Sequence, residues 1–313
     1  MKPVFSVIIP CYNEQEVLMA TWERLHRVME GMGEAYELIF INDGSRDKTT
    51  QMLHELAAEH PQVRALHFAR NFGHQYAVTA GIDAARGDAV VIIDADLQDP
   101  PEVIPEMAEK WRAGADVVYG KRLRRAGESA FKKLTAWGFY RTLRALVGFD
   151  IPADPGDFRL VSRRALEVIR AMPEHNRFLR GMFAWVGFNT TAVGYARDKR
   201  FAGETKYPLR KMLRLAMDGM LSFSRKPLAW LTGLGGLFAA LGAAGLLALL
   251  IAALLGAAGL GLWALAALMG LLSGCVLMGL GIVGAYVGRI YDEAMGRPLY
   301  IIADRQNEPG DGA

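Results

Sequence analysis

Two aspartates one residue apart, Asp94-Ala95-Asp96, close the apolar run Ala89–Ile93 and lead into Leu97-Gln98-Asp99-Pro100-Pro101. Carboxylates spaced this way at a strand end can both reach one hard cation, and Gln98 can add a neutral oxygen. Mg2+ and Mn2+ take such oxygen ligands and bridge to substrate phosphates, where they offset the negative charge that builds on a departing diphosphate. An isolated Asp-x-Asp is ordinarily a turn, so its neighbours decide what it means. Three further polar clusters precede it: Pro10-Cys11-Tyr12-Asn13-Glu14, Asn42-Asp43-Gly44-Ser45 and Arg70-Asn71.

Each cluster follows an element that could aim it. Val4–Ile9, Glu37–Ile41, Val63–Phe68, Ala89–Ile93 and Asp116–Tyr119 have the composition of strands. Glu14–Met29, Lys48–Glu59, Gln75–Ala85 and Glu102–Arg112 follow a helical period. Apolar strands separated by helices predict a parallel sheet covered on both faces. Ligands of such sheets sit beyond the carboxyl ends of the strands. Four polar strand ends on one edge therefore predict one shared site.

In order along the chain, Val7-Ile8-Ile9-Pro10-Cys11-Tyr12-Asn13-Glu14, Asn42-Asp43-Gly44-Ser45 and Asp94-Ala95-Asp96 resemble the family 2 glycosyltransferases of the GT-A fold. More narrowly, Arg70-Asn71-Phe72-Gly73, the run from Asp94 to Glu102, Gly156-Asp157-Phe158-Arg159-Leu160 and two apolar C-terminal runs resemble the polyprenyl-phosphate glycosyltransferases. That group includes dolichyl-phosphate mannose synthase and the bacterial bactoprenol glucosyltransferases. The resemblance spans residues 4–290 and implies an α/β GT-A catalytic domain, Rossmann-like, followed by interfacial and transmembrane helices.

The resemblance also implies roles. Pro10, Tyr12, Glu14 and Asp43 match positions that hold the base and ribose of a nucleotide-sugar. Asp94, Asp96 and Gln98 match the site for Mg2+ or Mn2+ and the diphosphate. Arg122 matches an arginine that meets the acceptor phosphate, and Lys132 or Lys133 falls where the family carries a second basic residue, here lysine instead of arginine. Asp157 matches an acidic residue near the reacting centre, and Arg200 and Lys206 match a basic loop that closes over the phosphates. His74, beside the Arg70–Gly73 motif, reads as a packed or solvent-facing histidine. A lipid phosphate is already ionised at neutral pH, so its attack needs little help from a base. Asp157 is then expected to orient or stabilise, and single displacement to invert the anomeric centre. The overall likeness points to glucose from UDP-glucose as the sugar transferred, although other sugars are carried on similar scaffolds.

The chain of 313 residues has 52% hydrophobic residues and a formal net charge of +3, too small to suggest nucleic acid. No charge occurs from Pro227 to Gly288. About 20 apolar residues span a bilayer, so this stretch accommodates two crossings, Leu228–Leu255 and Leu262–Val287, joined at Gly256–Gly261. Arg225 and Lys226 before the first run and Arg289 after the second predict that both ends face the cytoplasm. The expected organisation is a catalytic domain over 1–206, a juxtamembrane amphipathic helix over 207–226, two transmembrane helices over 227–288 and a cytoplasmic tail over 289–313 in the cell inner membrane. Residues 128–146 read as another amphipathic helix, and 207–224 as one lying in the membrane interface. Gly233, Gly235, Gly236 and Gly242 suit close helix packing, within a chain or in a homo-oligomer.

A dinucleotide-binding dehydrogenase is excluded because no G-x-G-x-x-G follows the first strand. A processive polysaccharide synthase would carry Gln-x-x-Arg-Trp, and no tryptophan here follows an arginine. A non-enzymatic nucleotide-sugar sensor would need no basic path for an acceptor. Cys11 and Cys275 lie in separate apolar runs and suggest no disulfide framework.

Overall fold

The computed structural model describes residues 2–123, 155–196, 226–255 and 261–308. Lys132, Lys133, Arg200, Lys206, the two amphipathic segments 128–146 and 207–224, and residues 256–260 of the turn expected at Gly256–Gly261 lie outside the described residues.

The first four strands are β1 (Phe5–Cys11), β2 (Tyr36–Asn42), β3 (Val63–Phe68) and β4 (Ala89–Ile92). They are near-continuous apolar runs because both of their faces are covered. Phe5, Val7 and Ile9 join Leu38 and Phe40 in one core, under α1 (Leu18–Gly31), α2 (Thr49–Glu59) and α4 (Ile104–Arg112). Ile8, Ile39 and Ile41 enter the opposite core, under α3 (His74–Ala84), α5 (Arg163–Ala171) and α6 (Leu179–Trp185). The two-residue period of a strand thus feeds two helical layers.

The remaining strands are β5 (Val117–Arg122), β6 (Pro155–Ser162), β7 (Thr190–Tyr195) and β8 (Ile302–Gln306). The sheet order is β7-β5-β6-β4-β1-β2-β3-β8. The expected parallel sheet is corrected to a mixed one. β4, β1, β2 and β3 are parallel, as are β5 and β7. β6, however, runs antiparallel between β4 and β5, and β8 runs antiparallel along β3. The insertion of β6 places Arg159 opposite both Ile92 and Tyr119, which brings Asp157 to the edge where β4 ends.

A second correction concerns α1, expected from Glu14 and observed from Leu18. Asn13 takes a left-handed φ of 56°. The next two amides are used elsewhere: Glu14 N–H donates to Thr49 Oγ1 (2.9 Å) and Gln15 N–H to Asp47 Oδ2 (3.2 Å). The loop is held to the start of α2 before any helix can form.

Two long helices follow, α7 (Lys226–Leu254) and α8 (Gly261–Met295). Leucines such as Leu250, Leu254, Leu262 and Leu277 face outward along them. Among the described residues, Leu271–Met295 is the segment long and apolar enough to cross a membrane. The chain then returns to the catalytic sheet. β8 pairs with β3 from Ala65↔Gln306 to Phe68↔Ile302. Asn307 Nδ2 donates to the carbonyls of Ala57 (2.6 Å) and Val63 (2.7 Å), and Arg64 Nη2 to Glu308 Oε1 (2.6 Å).

Candidate active site

The four polar strand ends meet in a cleft of about 790 Å³ at the carboxyl edge of the sheet. Pro10, Cys11, Tyr12 and Glu14 line it from β1, Asp43 from the end of β2, and Asp94 to Asp96 from the end of β4. Residues 71–77 contribute from the β3–α3 connection, and Asp157, Phe178 and Arg180 complete the lining.

The loops are built on one another. Asn13 N–H donates to Ser45 Oγ (2.9 Å), and Arg46 N–H donates back to Asn13 Oδ1 (2.8 Å). Gly44 has φ +66°, and a Cβ there would lie 2.4 Å from the carbonyl carbon of Arg70. Only glycine allows the second and third loops to touch backbone to backbone. Asp43, buried between them, accepts from Phe72 N–H (2.7 Å) at Oδ1 and from Gly73 N–H (2.9 Å) and Asn71 Nδ2 (2.9 Å) at Oδ2. Burial pushes its carboxyl above the ordinary range, although the two amides of Phe72 and Gly73 pull the other way. The Asn42-Asp43-Gly44 corner is thus the support for the Arg70–Gly73 motif.

The Asp94–Asp99 segment is tightly turned. Leu97, a buried bulky residue, has φ 56°, a sparsely populated conformation that persists only where its surroundings enforce it. Asp96 Oδ1 accepts from Gln98 N–H at 3.1 Å. Burial pushes the Asp94 carboxyl up to about 6; His74 opposes this, while Asp157, Asp96 and Asp99 add to it. Negative charge is therefore crowded at this strand end.

Opposite stands a cluster of alternating charges. Arg180 Nε and Nη2 donate to Asp157 Oδ1 and Oδ2, each at 2.8 Å. His74 Nε2 lies 3.6 Å from Asp157 Oδ2 and 3.7 Å from Asp94 Oδ1. Burial disfavours the Asp157 charge, but Arg180 and His74 outweigh it and hold the carboxyl well below the usual range. His74 is raised: burial opposes its charge, and Asp157 and Asp94 overcome that opposition. Arg159 supports the turn from beneath, donating to the carbonyls of Gly156 (3.0 Å) and Asp157 (3.2 Å), with its guanidinium 4.6 Å from the Phe183 ring centre. Burial brings its pKa down to about 10.

Of the residues expected to act, Pro10, Tyr12, Glu14, Asp43, Asp94, Asp96 and Asp157 all line the cleft. Gln98 and Arg122 do not belong to its lining. Arg122 Nη2 lies 3.4 Å from the buried Asp99 carboxylate and its Nε 3.3 Å from Tyr195 Oη, and the guanidinium abuts Gly156, the neighbour of Asp157. His74 and Arg180 are the side chains that sequence reasoning missed. His74 opens α3 directly below the Arg70–Gly73 motif, a position that could have signalled it. Arg180 carries no local signal, because only the packing of α6 brings it to Asp157.

Comparison with known proteins fits this geometry. The family described as glycosyl transferase family 2 matches residues 6–170. An uncharacterized glycosyltransferase of Bacillus subtilis, YkcC, is 50% identical over 95% of this chain and 93% of its own length. A prophage bactoprenol glucosyl transferase homolog of Escherichia coli is 41% identical over 95% of this chain and 97% of that protein. The bactoprenol glucosyl transferase of Shigella phage SfV is 40% identical over 97% and 99% respectively. Among solved structures, glucosyl-3-phosphoglycerate synthase of Mycobacterium tuberculosis aligns with 70% of this chain and 76% of that one at a TM-score of 0.48 and 20% identity. The mixed α/β sheet, the shared cleft at its carboxyl edge and the length of these matches agree: the chain belongs to glycosyl transferase family 2.

Proposed function

We propose that this protein moves a sugar, glucose from UDP-glucose in the first instance, onto undecaprenyl or another polyprenyl phosphate at the cytoplasmic face of the cell inner membrane, with inversion at the anomeric carbon. The observation that carries the reading is the cleft itself: Asp94 and Asp96 on one strand end and the Asp157–Arg180–His74 cluster, which reaches Asp94 through His74, line one space of about 790 Å³. Relatives named bactoprenol glucosyl transferases, at 40–41% identity over nearly the whole chain, support the lipid acceptor.

Asp94 and Asp96 fit a divalent ion. Their oxygens are hard donors, both line the cleft, and Asp94, pushed up first by burial and then by the charges of Asp157, Asp96 and Asp99, stands where a cation would be welcome. Gln98 is a weaker third ligand because it stands off the lining. Bound Mg2+ or Mn2+ would supply neutralisation of the diphosphate. The chain's own groups do the rest. Pro10, Tyr12, Glu14 and the Asp43-supported loop form the place for the nucleoside. Asp157, with both oxygens engaged by Arg180, is a fixed negative post rather than a proton acceptor, and an ionised acceptor phosphate needs no base. Arg122, Lys132, Lys133, Arg200 and Lys206 are the cations assigned to that phosphate, screening its repulsion from the donor.

The tail supports the same reading. A chain that leaves the catalytic domain through α7 and rejoins its sheet through β8 makes an even number of crossings. We therefore assign one crossing each to α7 and α8, with both ends cytoplasmic. Calorimetric titration of the full chain in detergent with a panel of nucleotide-sugars, with and without Mn2+, tests the donor site. Metal-strengthened binding of UDP-glucose is expected. Binding of none of the panel would contradict the assignment.

A further inference from the structure

Three consecutive residues open α3, and each is engaged by a different part of the molecule. His74 stands between Asp94 and Asp157. Gln75 Oε1 accepts from Leu179 N–H at 3.1 Å, at the start of the helix that carries Arg180. The Tyr76 hydroxyl donates to the carbonyl of His175 at 3.2 Å. All three line the cleft.

His175 is in turn fastened to the far end of α8. Its backbone N–H donates to Glu293 Oε1 at 2.7 Å, its Nδ1 lies 3.0 Å from Glu293 Oε2, and its Nε2 lies 2.6 Å from the carbonyl oxygen of Arg297. Both ring nitrogens face oxygen acceptors, an arrangement that favours the doubly protonated, charged ring. The hydrogen bond to Glu293 and then the Arg297 carbonyl raise its pKa accordingly. A short stretch, Asn176–Leu179, joins this clamp to Arg180 and hence to Asp157. Side chains as exposed as Glu293, at 41%, add little stability when paired. What three contacts from one residue do supply is a fixed geometry. The helix they fix contains Leu271–Met295, the segment long and apolar enough to cross a membrane.

We propose that His175 is a positioning residue: it couples the end of α8 to the cleft, so that the seating of α8 in the bilayer sets where Phe178, Arg180 and, through Arg180, Asp157 stand. The functional part of this proposal rests on the lipid-phosphate reading above; the structural part does not.

The test uses the full chain in lipid nanodiscs, as wild type, His175→Ala, Glu293→Gln and the double variant. Amide hydrogen exchange is followed across residues 177–185. Coupling predicts faster exchange in each single variant and no further increase in the double. Exchange unchanged from wild type in Glu293→Gln, which removes the charge and keeps the fold, overturns the proposal whatever the enzyme's activity. Transfer is then compared between undecaprenyl phosphate in the bilayer and a short, water-soluble polyprenyl phosphate. A positioning role predicts that kcat falls about three- to tenfold on both acceptors while the affinity for UDP-glucose stays within about twofold. A loss of UDP-glucose affinity in step with kcat would mark a merely structural tie and refute the coupling. If the wild type transfers to neither acceptor, the lipid-phosphate reading fails and the exchange measurement alone decides the coupling.

Discussion

Arg180 meets Asp157 edge to edge, Nε on Oδ1 and Nη2 on Oδ2, both at 2.8 Å. This fork-to-fork pairing is strong and geometrically selective, and lysine cannot reproduce it. With His74 on the same carboxylate, it keeps Asp157 ionised and fixed in place.

Arg180→Lys is therefore expected to lower transfer about tenfold, because the charge remains and the alignment is lost. Nucleotide-sugar binding should stay within about twofold, since the strand ends proposed to hold it do not depend on Arg180. Arg180→Ala should be worse and should lower the unfolding midpoint as well, because the largely buried Asp157 would lose both of its short hydrogen bonds and keep only the longer contacts to His74 and Arg159, a cost of about 1–3 kcal/mol. Steady-state kinetics beside titration of the donor read this split. Wild-type turnover in Arg180→Lys would deny the fork any part in positioning.

Gly44→Ala probes the loop scaffold. The new methyl would lie 2.4 Å from the Arg70 carbonyl carbon and 2.6 Å from the Asn71 nitrogen, where backbone cannot yield cheaply. A positive φ adds strain, so the expected cost is about 2–4 kcal/mol with weakened nucleotide binding. Thermal unfolding and donor titration measure both, and an unchanged midpoint would show that the two loops separate freely.

Much of this arrangement was legible in the sequence, for definite reasons. β1 to β4 are buried on both faces, so their apolar runs stand out, and the polar residues after them had to share one edge. β6 was harder to see, because Asp157 and Arg159 interrupt its apolar pattern to serve the site. β8, Ile302-Ala303-Asp304-Arg305-Gln306, is a polar edge strand that looks like a tail; its partner β3 is remote in sequence. The start of α1 was misplaced because the capture of the Glu14 and Gln15 amides by Thr49 and Asp47 is a tertiary event. The Arg180–Asp157 pair is tertiary in the same sense.

The β3–β8 seam carries a pH dependence. His54, His67 and Asp304 place ligand-type atoms within 4.8 Å of one another, but the hydrogen bonds argue against a metal. Asn42 Oδ1 accepts from Ser45 N–H (3.0 Å), which turns Asn42 Nδ2 toward His67 Nδ1 (3.0 Å). Nδ1 must then accept, and Nε2 carries the proton toward Gln306 Oε1 at 2.8 Å. Burial lowers the pKa of His67. Because the folded value lies below the unfolded value of about 6.5, the unfolded chain binds the proton first, and stability falls as pH drops from about 6.5 through the folded value. The unfolding midpoint should decline between about pH 7 and pH 5, and less steeply in His67→Gln. Identical slopes in the two proteins would exclude His67 as the source.

The proposed topology, with one crossing each by α7 and α8, is consistent with the return of the chain to β3. A reporter fused after Ala313 should be found in the cytoplasm, on the side of the catalytic domain, as an even number of crossings requires. A reporter on the opposite side would be incompatible with β8 completing the catalytic sheet in the membrane.

The central claim is tested most directly by following labelled sugar. Full-length protein in vesicles containing undecaprenyl phosphate is given UDP-glucose labelled in the sugar, and the lipid extract is analysed, with Asp96→Asn and a chelator-treated sample alongside. The account predicts label in a glucosyl-phosphoryl lipid that forms only when the acceptor is present. It also predicts a fall of about a hundredfold or more in Asp96→Asn, and loss on chelation that added Mg2+ or Mn2+ reverses. Label released only as free glucose, or full transfer by Asp96→Asn in the presence of chelator, would contradict it.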